Sequence, residues 1–279
     1  MLSNSNPSID KSFRKLDNKC MNLLKKMKEI LCSFENLFMK EHECLSCLRE
    51  IKDGSTFQLC DKCLKDVQFL NDCVCAKCGE KLNKASLVCD LCKDKDYVFD
   101  KNISSCYYTD VPAKIVKRFK FHGKKYYAEY IAKIMLENNN CFDGVDIITF
   151  VPLSKSRMRE RGFNQAEEIA KILSESKNIP ILSLLVKTKE GKHQSKLNQQ
   201  ERLQNLRDSF SVKEDARKLV KNKTVLIVDD VFTTGTTLNE CSKVLKAKGA
   251  KQIFTTTFAK TKFNSMKNWQ ICQNKAKKS

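Results

Sequence analysis

The chain has 279 residues, 41% hydrophobic and 30% charged, a balance that suits a soluble protein with a full α/β core and a small extra domain. Lys and Arg number 52 against 33 Asp and Glu, and the formal net charge of +19 favours polyanionic partners such as nucleic acids or phosphate compounds, although a lysine-rich coding bias produces the same excess. No apolar run approaches 18 residues and the N-terminus is polar, so neither a spanning helix nor a signal peptide is predicted, and the expected location is the cytoplasm.

Residues 1–40 read as a leader and an amphipathic helix. The first 11 residues are polar and predict disorder. Phe13, Leu16, Cys20, Leu23, Met27, Ile30, Phe34 and Leu37 then recur at alternating steps of three and four, with Leu24, Leu31 and Phe38 widening the stripe. This predicts a helix of about 40 Å, capped by Asp10 or Ser12. Its stripe packs either on its own domain or on another helix. The seven-residue period suggests helix pairing, including self-association. A start at Met21 or Met27 would remove part of it.

Residues 41–96 are organised by cysteines. Cys44-x-x-Cys47 and Cys60-x-x-Cys63 are separated by 12 residues, and Cys75-x-x-Cys78 and Cys89-x-x-Cys92 by 10. In a cytoplasmic chain this spacing implies two structural zinc ions rather than disulfides, since two knuckles complete one tetrahedron. Metal binding would supply folding free energy to a segment too short for much core. The sites are taken as sequential, 44/47/60/63 and 75/78/89/92, with interleaved pairing open. The remaining cysteines read as small buried hydrophobes or incidental thiols, and His42 as a stray ligand at most.

Residues 97–262 read as the α/β domain. Tyr97–Thr109 leads into a first strand. Lys114, Lys117, Arg118, Lys120, Lys124 and Lys125 then follow with no acid between Val111 and Ala128, interleaved with Ile115, Val116, Phe119 and Phe121. Such a run is either a solvated face or a phosphate or nucleic-acid contact, with Tyr126 and Tyr127 as further rings. Tyr126–Leu136 predicts a core helix, and Asp146–Val151 a buried strand ended by Pro152-Leu153-Ser154. Arg157, Arg159 and Arg161 follow at alternate positions, suited to gripping phosphate oxygens or to surface salt bridges. Asn164-x-x-Glu167 predicts a capping box for a helix to about Ser176. Pro180–Val186 predicts a strand, Lys187–Asn198 a long polar excursion, Gln199–Leu206 a helix and Phe210–Val212 an extended piece. Residues 263–279 form a basic tail.

Thr224–Val228 is an apolar, β-branched run closed by Asp229 and Asp230, as in a parallel strand buried on both faces. The hydroxyl-rich Thr233, Thr234, Gly235, Thr236 and Thr237 open into Leu238, Cys241, Val244 and Leu245 at helical spacing. A helix N-terminus ringed by hydroxyls suits a phosphate, and the two acids suit a vicinal diol, which together imply a ribose 5-phosphate ligand. A nucleotide-triphosphate loop is excluded by the missing G-x-x-x-x-G-K-[ST] pattern, and a receiver domain by the absence of any Asp after Asp230. Gly249 stops the helix, and Gln252–Ala259 predicts the last strand.

Val228–Thr237 resembles the phosphoribosyl-pyrophosphate (PRPP) signature of type I phosphoribosyltransferases. The cysteine knuckles, Lys120-Phe121-His122-Gly123 and Arg159-Glu160-Arg161-Gly162-Phe163-Asn164-Gln165 narrow the resemblance to the ComF (competence protein F) family, over roughly residues 41–260. The resemblance implies a doubly wound parallel sheet behind a double zinc ribbon. It implies PRPP held by residues 233–237, Arg157, Arg159, Arg161 and a lid with Lys189, Lys192, His193, Gln194 and Arg202. Mg²⁺ would bind through the pyrophosphate and the diol, with Asp229 and Asp230 as the catalytic acids. Thr233 replaces an acid that touches the base in 6-oxopurine-salvaging relatives, so use of a free base is not implied. The family further implies single-stranded DNA as partner, through Lys117, Arg118, Lys120 and Phe121, together with a competence helicase or membrane channel at the inner face of the cell membrane. The alternative is a metabolic phosphoribosyltransferase.

Overall fold

The computed structural model describes residues 43–51, 55–70, 73–82, 87–121, 125–138, 141–188 and 209–262. The predicted leader and helix of residues 1–40, the lid residues Lys189, Lys192, His193, Gln194 and Arg202, the helix over 199–206 and the basic tail lie outside the described residues. In each knuckle pair the second pair of cysteines opens a short helix, α1 (Asp61–Lys65) after Cys60 and α2 (Asp90–Lys93) after Cys89.

β1 (Lys101–Tyr107) leads into α3 (Asp110–Phe121), which carries the basic run. Val111, Pro112, Ile115, Val116 and Phe119 fall on one helical face and are buried, which turns the lysines outward. Next come α4 (Tyr127–Asn138), β2 (Ile147–Phe150), α5 (Lys155–Arg161) and α6 (Gln165–Lys177). Asn164 caps α6, but its side-chain oxygen accepts from Ala166 N–H (3.0 Å) rather than completing the predicted box with Glu167. Its amide nitrogen donates to the Val151 carbonyl (2.9 Å), tying α6 to the end of β2.

The predicted strand over 180–186 divides. Ile181 bridges Ile148 in parallel, with Ile148 N–H donating to the Pro180 carbonyl and Leu182 N–H to the Ile148 carbonyl, both at 2.9 Å. The chain then leaves the sheet edge, and β3 (Leu185–Lys187) pairs antiparallel with β4 (Phe210–Val212). After α7 (Arg217–Val220) come β5 (Thr224–Phe232), α8 (Thr236–Lys246) and β6 (Gln252–Lys260).

The main sheet is parallel in the order β1-β6-β5-β2. Successive β5 side chains point to opposite faces, so Leu226 and Val228 join one core while Val225 and Ile227 join the other. Helices α3, α4 and α6 cover the first face and α8 the second, a doubly wound arrangement. β5 runs past both acids to Phe232 because β6 accompanies it, Asp229 opposite Thr257 and Phe232 opposite Lys260.

The cysteine units line the β1 edge. Tyr107 N–H donates to the Gln68 carbonyl (2.9 Å), Leu70 N–H to Ser105 (2.9 Å) and Asn102 N–H to Ala76 (2.7 Å), so the chain at and between the units satisfies an otherwise open strand edge. Cys44, Leu45 and Cys63 pack in the α3/α4 core, whereas Cys75, Cys78 and Cys92 pack in the α8 core. No helix among the described residues is long and apolar enough to cross a membrane.

Candidate functional site

The two cysteine units repeat one backbone pattern. Cys44 N–H donates to the Arg49 carbonyl and Leu48 N–H to Cys44; Cys75 N–H donates to Glu80 and Gly79 N–H to Cys75. Leu48 and Gly79 both take the left-handed conformation, at φ 61° and 70°. These tight turns bring Cys44, Cys47, Cys60 and Cys63 together, and likewise Cys75, Cys78, Cys89 and Cys92, with the ligand atoms of each set within 4.8 Å of one another. Cys47 and Cys60 sulfurs are 3.8 Å apart, and Cys78 and Cys89 sulfurs 3.7 Å. A zinc tetrahedron with bonds of about 2.3 Å requires sulfurs about 3.8 Å apart, so both sets can hold zinc, and the pairing is sequential.

A second centre lies at the carboxyl ends of β2 and β5. A cavity of about 280 Å³ is lined there by Tyr108, Lys120, Val151, Pro152, Leu153, Arg157, Arg161, Asn164, Gln165, Ala166, Lys187, Asp229, Asp230, Val231, Thr233 and Thr237. Strand β5 delivers both acids. Asp230 N–H donates to Asp229 Oδ1 (2.9 Å), and Lys120 Nζ pairs with Asp230 Oδ2 at 2.6 Å. Burial, reinforced by the Asp230 carboxylate, pushes Asp229 up to about 7.

The loop after β5 turns at Gly235, whose φ of 75° makes it the left-handed N-cap of α8. A Cβ there would meet Phe232 Cζ at 2.6 Å, so glycine is required on two counts. Thr233 and Thr237 face the cavity, while the Thr234 and Thr236 hydroxyls bond each other at 2.8 Å outside its lining. The three arginines separate: Arg157 and Arg161 line the cavity, whereas Arg159 is exposed and does not. Arg161 donates from Nη1 to Gln165 Oε1 (2.9 Å) and lies 5.7 Å from the Phe121 ring, leaving its Nε without a partner.

On α3 the four residues predicted to meet nucleic acid also separate. Lys117, Lys120 and Phe121 line a neighbouring groove of about 350 Å³ with Tyr108, Asp110, Ala113 and Lys114, and Phe121 is 57% exposed. Arg118 instead turns to the first cysteine unit, its Nη1 donating to the Leu45 carbonyl at 2.7 Å and to the Ser46 carbonyl. Phe119 and Tyr127 are wholly buried, so neither ring is offered to a base. Sequence reasoning missed Tyr108 and Lys187, which both line the cavity. Lys187 ends an apolar run at the start of the polar excursion, a position that marks it in the sequence only as a boundary.

A family model described as phosphoribosyl transferase domain matches residues 158–272. Competence protein F of Haemophilus influenzae is 30% identical over 220 residues, covering 75% of this chain and 93% of that protein. Competence protein ComFC of Bacillus subtilis is 28% identical over 203 residues, 69% of this chain and 79% of that protein. The DNA utilization protein YhgH of Escherichia coli is 26% identical over 187 residues, 64% of this chain and 81% of that protein.

Proposed function

The chain belongs to the competence protein F family, and from that premise we propose that it assists natural competence by handling single-stranded DNA on the cytoplasmic side of the membrane, with a PRPP-binding pocket beside the DNA site. The observation that carries this reading is the junction at Lys120. That lysine lines both the cavity with the paired acids and the groove with the exposed Phe121.

In the pocket, the threonine loop and the N-terminus of α8 receive the 5′-phosphate. Asp229 and Asp230 accept from the ribose diol, and Arg157, Arg161 and Lys187 face the pyrophosphate. The donor set fits Mg²⁺·PRPP, since two carboxylates stand among several cations; the metal would neutralise pyrophosphate charge. Zinc in the two four-cysteine units is structural. On α3, Lys117 and Lys120 meet DNA phosphates while Phe121 offers a face for an unpaired base. Transfer of the phosphoribosyl group to an acceptor is the second reading, favoured by both acids lying in the cavity.

Parallel titrations with PRPP plus Mg²⁺ and with a labelled oligothymidylate test the reading. Asp229→Asn with Asp230→Asn should abolish PRPP binding and spare DNA. Lys117→Ala with Phe121→Ala should weaken single strands more than duplex, and lower the salt slope of log affinity by about 1 for the lysine. Because Tyr108 and Lys120 border both sites, the two ligands should compete. Failure of the intact protein to bind DNA would remove the competence reading, and release of pyrophosphate on adding a nucleobase would establish the transferase.

A further inference from the structure

The second cysteine unit reaches the phosphate loop through one side chain. After Cys92 the backbone turns twice, Lys95 N–H donating to the Cys92 carbonyl (3.2 Å) and Tyr97 N–H to the Lys95 carbonyl (2.9 Å). Tyr97 is thereby brought to the loop, where its hydroxyl donates to the Thr234 carbonyl at 2.8 Å and accepts from Lys95 Nζ at 3.3 Å. Its ring stacks on Phe99 with centroids 4.8 Å apart and meets Phe232 edge-on at 6.4 Å. One residue on, Val98 N–H donates to Asn239 Oδ1 on α8 at 2.7 Å. The first knuckle of the same unit grips this segment too, Lys77 Nζ donating to the Phe99 carbonyl at 2.5 Å.

A trans peptide carries its C=O and N–H on opposite sides. Anchoring the Thr234 carbonyl on Tyr97 therefore turns the Gly235 N–H the other way, at the residue that caps α8 and leads into the N–H groups of its first turn. The fit has little slack, since a Cβ on Gly235 would lie 3.0 Å from Tyr97 Cε1. The first cysteine unit lies in the other core, where its Leu45 carbonyl accepts from Arg118 and from the Tyr127 hydroxyl.

We propose that Tyr97 is a positioning residue for the phosphate loop, and that the second four-cysteine unit rather than the first holds it there, so that affinity for a 5′-phosphate depends on metal at Cys75, Cys78, Cys89 and Cys92. This rests on the reading of the loop as a ribose-phosphate site. Tyr97→Phe keeps the ring and removes only the hydroxyl, and with it the bonds to the Thr234 carbonyl and from Lys95 Nζ. In the zinc-loaded full chain it should weaken ribose 5-phosphate about tenfold by calorimetric titration, with the melting temperature and oligothymidylate affinity unchanged. Cys92→Ser should weaken ribose 5-phosphate more than Cys63→Ser does. If Cys92→Ser does not fold, the tyrosine variant decides alone. An intact chain that fails to bind ribose 5-phosphate overturns the underlying reading. Binding that survives Tyr97→Phe, or that falls equally in the two cysteine variants, overturns this proposal while leaving that reading in place.

Discussion

Asp229 shows how one residue records the electrostatics of the whole cavity. The unfolded chain releases this proton near ~4, whereas burial and Asp230 keep it on the folded chain up to about 7. The folded state thus binds more protons across that window, and the site's contribution to stability falls as pH rises from about 4 to 7, then levels. Asp229→Asn does not titrate, so its stability relative to the native chain should rise by about 2 kcal/mol between about pH 5 and 8, allowing for solvent access. Urea midpoints of both proteins check this, and a constant gap would refute it. The acids, the threonines and Gly235 were legible because they sit in one register of a strand and a helix start. Arg118 was not: in sequence it is one cation among six, and only the approach of the Leu45 and Ser46 carbonyls decides where it turns.

At the scale of elements, the end of β6 is the instructive case. Lys260 directly follows the predicted last strand and carries no mark in the sequence, yet it is wholly buried, paired with Glu80 Oε2 of the second cysteine unit and 5.3 Å from the Tyr107 ring. The Tyr107 hydroxyl donates to the other Glu80 oxygen. No local pattern announces this, because the partner lies 180 residues away in the chain. Removing one member of such a pair leaves the other charge in a poorly solvated place. Lys260→Met should therefore cost about 3 kcal/mol in thermal unfolding, and adding Glu80→Gln should recover part of it. Additive losses would show that the pair is not coupled. The predicted strand over 180–186 divided for a related reason: an apolar run states that burial is needed, but the choice between the edge of β2 and the partner β4 is tertiary.

For the whole molecule, parallel strands, crossover helices and the cysteine knuckles were legible because each rests on short-range periodicity or spacing, whereas the choice between sequential and interleaved pairing of the knuckles rests on which sulfurs the fold brings together. That the cysteine units lie along β1 and enter opposite cores was not, since it depends on which sheet edge is open. The described residues all belong to one compact unit. A fragment starting at residue 97 would bare the β1 edge and leave Lys260 without Glu80. It should be recovered as aggregate, whereas the full chain stays monodisperse in size-exclusion chromatography. The strand order β1-β6-β5-β2 also has a meaning in time. During synthesis β1 emerges early, but its neighbour in the sheet is the last strand made, so the nascent protein carries a half-dressed strand past the ribosome for most of translation. Gln68, Leu70 and Ala76 precede β1 in the chain, so the backbone that covers one of its sides is already made when the strand emerges, long before β6 exists to cover the other.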